Sequence, residues 1–539
     1  MLDCELMIRF ICAILIAAYA LTADTYPRQS GVDAVHYVFR LTLTDESDEI
    51  AGEATATFRF VRDGVSEVAL DLATSVNGKG MTVTDVTSDG AAVRYTHQSD
   101  RLSISLPTAP PAGELRTFTV RYHGAPASGL KILSNKYGER CFFSENWPDH
   151  ARQWLPTIDH PYDKATSEFI VTAPAKYQVV ANGLLIEQTD LPGGRRMTHW
   201  KQSVPIASWL NALGVSPFAV RYFANLRGVS QQTWIFPQDR DAGITAFEIP
   251  AEQAFEFYSD HIGPFAYEKL ANVEAAGVSG GMEHASAIFY GEKSFSNKPA
   301  TGLAAHEIAH QWFGDSVTEK DWDDVWLSEG FATYFTLLTL EHYEGRDAFV
   351  KGLKQSREAV FAIEKKNPGL AVRHDNLSDM KRVLNGLVYQ KGGWTLHMLR
   401  GQIGTEKFWT GIRDYYHRYR DSNASSDDFR RVMEEDSGAD LKWFFDQWLN
   451  RAGSPVVEGH WHYDEASKKV VVELEQKQSG DAYRLPLEIG VSAATGAEPK
   501  IEKIEMTAKE QKFQIPADKP PSAVTLDPNT WILMDARFQ

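Results

Sequence analysis

Short runs of alternating hydrophobic and polar residues fill the first two hundred positions of the chain. Tyr37-Phe39-Leu41-Leu43, Phe58-Phe60, Val68-Leu70-Leu72 and Phe118-Val120-Tyr122 place apolar side chains two residues apart. A period of two marks strands with one buried face. Turn formers such as Asp63-Gly64 and Pro110-Pro111 separate the runs. From about Asp24 to Tyr222 the pattern predicts a large antiparallel β-sandwich or saddle.

After Tyr222 the period lengthens. Residues Pro250–Ile262, Thr301–Phe313, Ser328–Tyr343 and Val383–Ile403 have helical spacing, and Trp443–Leu449 closes this helical half. Gly453-Ser454-Pro455 then punctuates the chain. Alternation returns in Val470-Val472-Leu474 and Leu485-Leu487-Ile489-Val491, which predicts a small terminal β-sandwich. The expected fold class is α+β and multidomain. The expected boundaries are 24–222 for the β-domain, 223–452 for the helical domain and 453–539 for the terminal sandwich.

The first 23 residues read differently. Phe10 to Ala23 form an apolar stretch preceded by Arg9 and ending in small residues, a signal-peptide pattern. It is short for a membrane span. The expectation is a secreted or periplasmic protein with no stable membrane insertion after cleavage, and an uncleaved anchor is the alternative. Of three cysteines, Cys4 and Cys12 lie in the first 23 residues, so Cys141 is left alone and reads as a buried structural thiol. The formal net charge of −17 argues against nucleic acid as a partner, because binding phosphates needs clustered Lys and Arg. Asn376 and Asn423 sit in glycosylation sequons, relevant only in a eukaryotic secretory pathway.

The chemistry concentrates in His306-Glu307-Ile308-Ala309-His310. Two histidines four apart share one helical face, so both imidazoles can reach one zinc ion. Glu307, beside the first, is placed to take a proton from the attacking water and pass it to the leaving nitrogen. Catalytic zinc takes three protein ligands and keeps one position open, and Glu329, nineteen positions after His310, supplies the third. The competing reading is two surface histidines on an ordinary helix.

HEIAHQWFGD (His306–Asp315), WLSEG (Trp326–Gly330), GGMEH (Gly280–His284) and VYQKGG (Val388–Gly393) together resemble the aminopeptidase N-like gluzincins. These are zinc exopeptidases with a thermolysin-like catalytic domain. Fainter likeness runs from about residue 30 to the end and includes ARQWLPTIDHPYDKAT (Ala151–Thr166). The resemblance implies a saddle-shaped β-domain, a thermolysin-like mainly α domain and a small β-sandwich. It implies peptide substrates with a free N-terminus. Many members add a large helical domain after the sandwich; without it, the site is expected to be less enclosed. It also implies that Gly280, Gly281, Met282 and Glu283 line the amine site. There a carboxylate pairs with the substrate ammonium and counts one residue to the scissile bond. Tyr389 matches the family's tyrosine, whose phenol donates to the tetrahedral oxyanion. Taken alone, Tyr389 reads as a core aromatic and Glu283 as an ordinary loop carboxylate.

Two positions depart from the family pattern. His284 stands where an Asn is usual. Trp147 stands where many members carry a second Glu or Gln near the amine, with Glu145 and Asp149 close by but out of register. Two rival functions are an epoxide hydrolase of the leukotriene type and a non-catalytic, zinc-containing peptide-binding protein. The first lacks its Asp and second Tyr in Lys381–Leu384. The second would want a fourth ligand to close the metal site.

Overall fold

A computed structural model describes residues 24–374 and 376–539. The signal-peptide assignment for residues 1–23 therefore lies outside the described residues.

The N-terminal region is built on an eight-stranded sheet. Its middle runs Lys164–Pro174, Val32–Thr42, Ile50–Phe60, Leu115–Ala125. Phe39, Phe58, Phe118, Val120 and Phe169 are buried on these strands, as the period of two requires. The sheet is mixed, a correction to the antiparallel expectation. Val32–Thr42 pairs parallel with Lys164–Pro174, with Phe39 opposite Phe169. Local alternation carries no sign of strand direction, and this pair is joined only after more than a hundred intervening residues.

The expected boundary at 222 falls inside a strand. Ala219–Leu226 and Val229–Ile235 form a hairpin closed by Arg227 and Gly228, both at positive φ (54° and 87°). The hairpin belongs to a five-stranded sheet that continues through Lys269–Ala275 and Ala287–Gly291 to the short edge strand Gly281–Met282. A hairpin pairs before any helix begins, so the change of period in the sequence lags the change of sheet.

Four helices of the second region carry or flank the site: Ile249–His261, Thr301–His310, Trp326–Glu344 and Gly386–Ile403. The pattern reading passed over Arg346–Lys366, Thr405–Tyr419 and Ser426–Ser437. These are polar-rich amphipathic helices, and the last is fixed by a Ser425/Asp428 capping box. Lys442–Phe445 continues into a wider π-helical turn over Asp446–Asn450. Beyond it lie sheets of four and three strands whose inward residues, including Val470, Val472, Leu485, Leu487 and Ile489, are buried. Cys141 is buried, and burial pushes its thiol up to about 12, so it is inert at neutral pH. The Asn423 amide donates to the Pro161 carbonyl at 2.7 Å and so is committed within the fold. No helix among the described residues is long and apolar enough to cross a membrane.

Candidate active site and metal centre

The helix Thr301–His310 lies against the edge strand Gly281–Met282, which pairs antiparallel with Ala287–Gly291. The approach is close: a Cβ built on Gly281 would stand 2.2 Å from Oε1 of Glu307. The carboxylate beside the first histidine therefore rests on the backbone of the GGMEH segment. Glu283 follows that strand, and its carboxylate, that of Glu307 and a His310 nitrogen lie within 4.8 Å of one another.

His306, His310 and Glu329 face each other across a small triangle. Nε2 of His306 and Nε2 of His310 are 3.3 Å apart, and each lies 3.4 Å from Oε2 of Glu329. Ligand bonds of about 2.0–2.1 Å at tetrahedral angles put donor atoms about 3.3–3.4 Å apart. The triangle has the size of three corners of a zinc tetrahedron. Its donor types, two imidazoles and one carboxylate, are those of a catalytic zinc site. His310 and Glu329 are buried while His306 stays about one-fifth exposed, so the set opens on one side only. These residues fit a zinc ion.

The electrostatics favour a cation. Glu283, Glu307 and Glu329 are all buried in this small volume. Burial raises Glu283 and Glu307 above the usual carboxylate range, and for Glu307 the neighbouring Glu283 adds to the rise. Burial also opposes the charge of Glu329, yet the imidazoles of His306 and His310, each 3.4 Å from Oε2, hold it down at about 2. A divalent ion would relieve the crowding by displacing the protons these groups otherwise share.

Outer contacts set the ligand orientation. Nδ1 of His310 is 2.9 Å from Oγ of Ser328 and 3.3 Å from the Phe313 carbonyl, leaving Nε2 for the metal. Gly314 makes room for this arrangement at φ 117°, and a Cβ there would lie 2.3 Å from Ser328 Oγ. Ser328 and Gly314 were not singled out from the sequence. Their place inside HEIAHQWFGD and WLSEG was the available signal.

Tyr389 is positioned by a glycine contact between two helices. A Cβ on Gly330 would stand 2.9 Å from the backbone of Gly392, so Trp326–Glu344 and Gly386–Ile403 touch backbone to backbone. One turn before Gly392, the Tyr389 ring stacks parallel to His306 at 6.1 Å, and its hydroxyl meets Glu329. Burial and the Glu329 charge hold the phenol protonated far above its ordinary range, so it remains a donor. Lys391 anchors the same helix from behind, donating to Glu364 (2.9 Å) and the Gly453 carbonyl (2.6 Å).

The two departures from the pattern have these surroundings. The Trp147 ring meets Trp209 and Trp322 edge to face, with centroids 4.6 and 4.7 Å away. Glu145 is ion-paired with Lys131, and Asp149 lies 3.6 Å from Arg152. His284 is buried in the turn that follows Gly281–Met282, against Phe289 at 4.8 Å, and burial pushes its pKa down to about 3. Neither ring nitrogen has a hydrogen-bond partner among the described residues.

Fold and site together have the form of a zinc metallopeptidase domain. Residues 246–448 match the Peptidase family M1 domain, and residues 33–210 match the Peptidase M1 N-terminal domain. The chain belongs to peptidase family M1. It is 28% identical over 347 residues to glutamyl aminopeptidase of Bitis rhinoceros, covering 61% of this chain and 36% of that protein. Probable aminopeptidase 1 of Sulfurisphaera tokodaii is 26% identical over 400 residues, covering 70% and 49%. This chain thus spans about a third to a half of the length of these curated relatives. A point mutant of the M1 zinc metallopeptidase from Deinococcus radiodurans superposes with a TM-score of 0.69 at 26% identity, covering 80% of this chain and 98% of that one. The mutant bound to a Tyr-Ser-Ala substrate gives 0.68 at 26% identity, covering 79% and 96%. Legionella pneumophila aminopeptidase A in complex with aspartic acid reaches 0.80 at 18% identity, covering 96% and 61%, a likeness of fold.

Proposed function

We propose that this chain hydrolyses the first peptide bond of peptides with a free N-terminus. The observation that carries the reading is the donor triangle of His306, His310 and Glu329 with the carboxylates of Glu283 and Glu307 beside it. A zinc ion held there supplies Lewis acidity, polarising the scissile carbonyl and acidifying the attacking water.

Glu307 takes the proton of that water and returns it to the departing amine, a role suited to a carboxylate whose buried site raises its basicity. Tyr389 donates its hydroxyl proton in a hydrogen bond to the oxyanion as the carbonyl carbon becomes tetrahedral. Glu283 pairs with the α-ammonium and fixes which bond lies over the metal ligands. Gly280, Gly281 and Met282 present backbone N–H and C=O groups along an edge strand, where an extended peptide can lie as an added strand. Among relatives, one Deinococcus structure is described as bound to a Tyr-Ser-Ala substrate, which supports a peptide substrate.

The direct test compares a free-amine aminoacyl reporter with its N-acetylated form. Hydrolysis of the free form alone is expected; equal cleavage of both would refute the exopeptidase reading. We also propose export through the apolar leader Phe10–Ala23, with no nucleic-acid partner, as the acidic charge suggests, and no stable membrane insertion once the leader is cleaved. N-terminal sequencing of the mature protein from its native host checks this: a start near Ala20 or Ala23 is expected, and a start at Met1 or Met7 would contradict it.

A further inference from the structure

Gln311 follows His310 at the end of its helix and is fully buried. Each polar atom of its side chain is committed. Nε2 donates to the Glu283 carbonyl at 3.0 Å and to Oδ2 of Asp315 at 2.7 Å. Oε1 accepts from the N–H of Ser286 at 2.8 Å. One amide therefore spans the turn Glu283–Ser286 from its first residue to its last.

That turn needs holding. Ser286 sits at φ 64°, a left-handed conformation that costs a non-glycine residue of order 1–3 kcal/mol unless its surroundings over-determine it. The surroundings do so from two sides. From the β-region, Asn182 donates to the Ala285 carbonyl at 2.7 Å, and the Gly183 N–H donates to Ser286 Oγ at 2.8 Å. Nζ of the buried Lys269 adds a second bond to Ser286 Oγ at 3.2 Å. From the metal side, among the described residues, the Gln311 amide holds the turn. Its orientation is set by Asp315, whose N–H bonds the His310 carbonyl at 3.0 Å and whose own carbonyl is held by Lys164 at 2.9 Å.

We infer that Gln311 is the positioning residue that fixes the separation between the amine-facing carboxylate of Glu283 and the metal ligands. It sits one residue from His310, and its amide clasps the backbone of Glu283 directly. It thereby sets the register at which the substrate amine is held. This rests on the aminopeptidase reading above. Gln311 touches neither substrate nor metal, and acts through Glu283.

Gln311→Met preserves length and volume and removes all three bonds. Metal analysis is expected to find about one zinc per chain, since no ligand is altered. KM for a free-amine reporter rises, and the preference for free over N-acetylated substrate falls. A misplacement of about 1 Å corresponds to a loss of about a hundredfold in kcat/KM. Competition by a free amino acid amide weakens by a similar factor, while its N-acetyl analogue competes as before. Asp315 provides a second pair of variants should Gln311→Met not accumulate as folded protein. Asp315→Leu releases the amide and raises KM about tenfold, and Asp315→Asn, which keeps an acceptor for Nε2, restores it. Unchanged KM and unchanged amine selectivity in these variants, with only a lowered melting temperature, would overturn the inference. Failure of the unmodified protein to discriminate free from blocked amines would instead refute the function itself, so the two failures are distinguishable.

Discussion

Gly330 tests whether the backbone contact between two helices sets the geometry of the site. It follows the ligand Glu329, and a Cβ at this position would stand 2.9 Å from both Cα and the carbonyl carbon of Gly392. Ordinary contact begins at 3.4 Å, and the obstacle is backbone, which has no rotamer to change. In Gly330→Ala the helices must part by about half an ångström, a small-to-large change that costs about 1–3 kcal/mol in a packed interior. The separation falls between Glu329 on one helix and Tyr389 on the other. At about a hundredfold per ångström of misplacement, kcat is expected to drop about tenfold. Denaturant unfolding reads the first quantity and initial rates on a free-amine reporter read the second. Gly302→Ala is the control, because nothing lies within 4 Å of its added Cβ. It should stabilise by up to about 0.5–1 kcal/mol and leave kcat alone. A Gly330→Ala protein with unaltered stability and rate would refute the reasoning.

Removing the Tyr389 hydroxyl in Tyr389→Phe deletes one oxyanion donor worth about 2.7–4 kcal/mol, so kcat should fall about a hundred- to a thousandfold with KM little changed. A loss confined to KM would assign Tyr389 to substrate binding alone. His284→Leu removes two buried ring nitrogens that lack partners, so unfolding free energy should hold or rise by about 1 kcal/mol. A loss above about 2 kcal/mol would show that the ring is satisfied in solution. Glu283→Ala should nearly abolish cleavage, whereas Glu145→Ala should cost little, because Lys131 already engages that carboxylate. Equal damage from both would mean that Glu145 serves as a second amine anchor.

What could be read from the sequence was local. His306 and His310 share a face because four residues make about one helical turn, so their shared metal needs no tertiary information. Strands such as those carrying Phe39 and Val120 are visible for the same reason, since each buries its own alternate residues. Relations between distant segments were hidden. Nothing in the pattern shows that Val32–Thr42 runs parallel to Lys164–Pro174, or that a hairpin from Ala219 joins the sheet of the following region. Gly330 and Gly392 look like helix-weakening residues until their helices are seen in contact. Gln311 lay in full view inside the HEIAHQWFGD motif, but its partners Glu283, Ser286 and Asp315 come together only in the fold. Trp147 and His284 were conspicuous as departures from the family pattern. The structure places one in a tryptophan cluster and the other in the core.

The central claim is that zinc held by His306, His310 and Glu329 acts with Glu307 as the base. It is tested most directly by measuring zinc content and turnover of Glu307→Gln beside the unmodified protein. The account predicts about one zinc per chain in both, with kcat of Glu307→Gln lower by several orders of magnitude. Turnover of Glu307→Gln close to that of the unmodified protein, at equal zinc content, would contradict it.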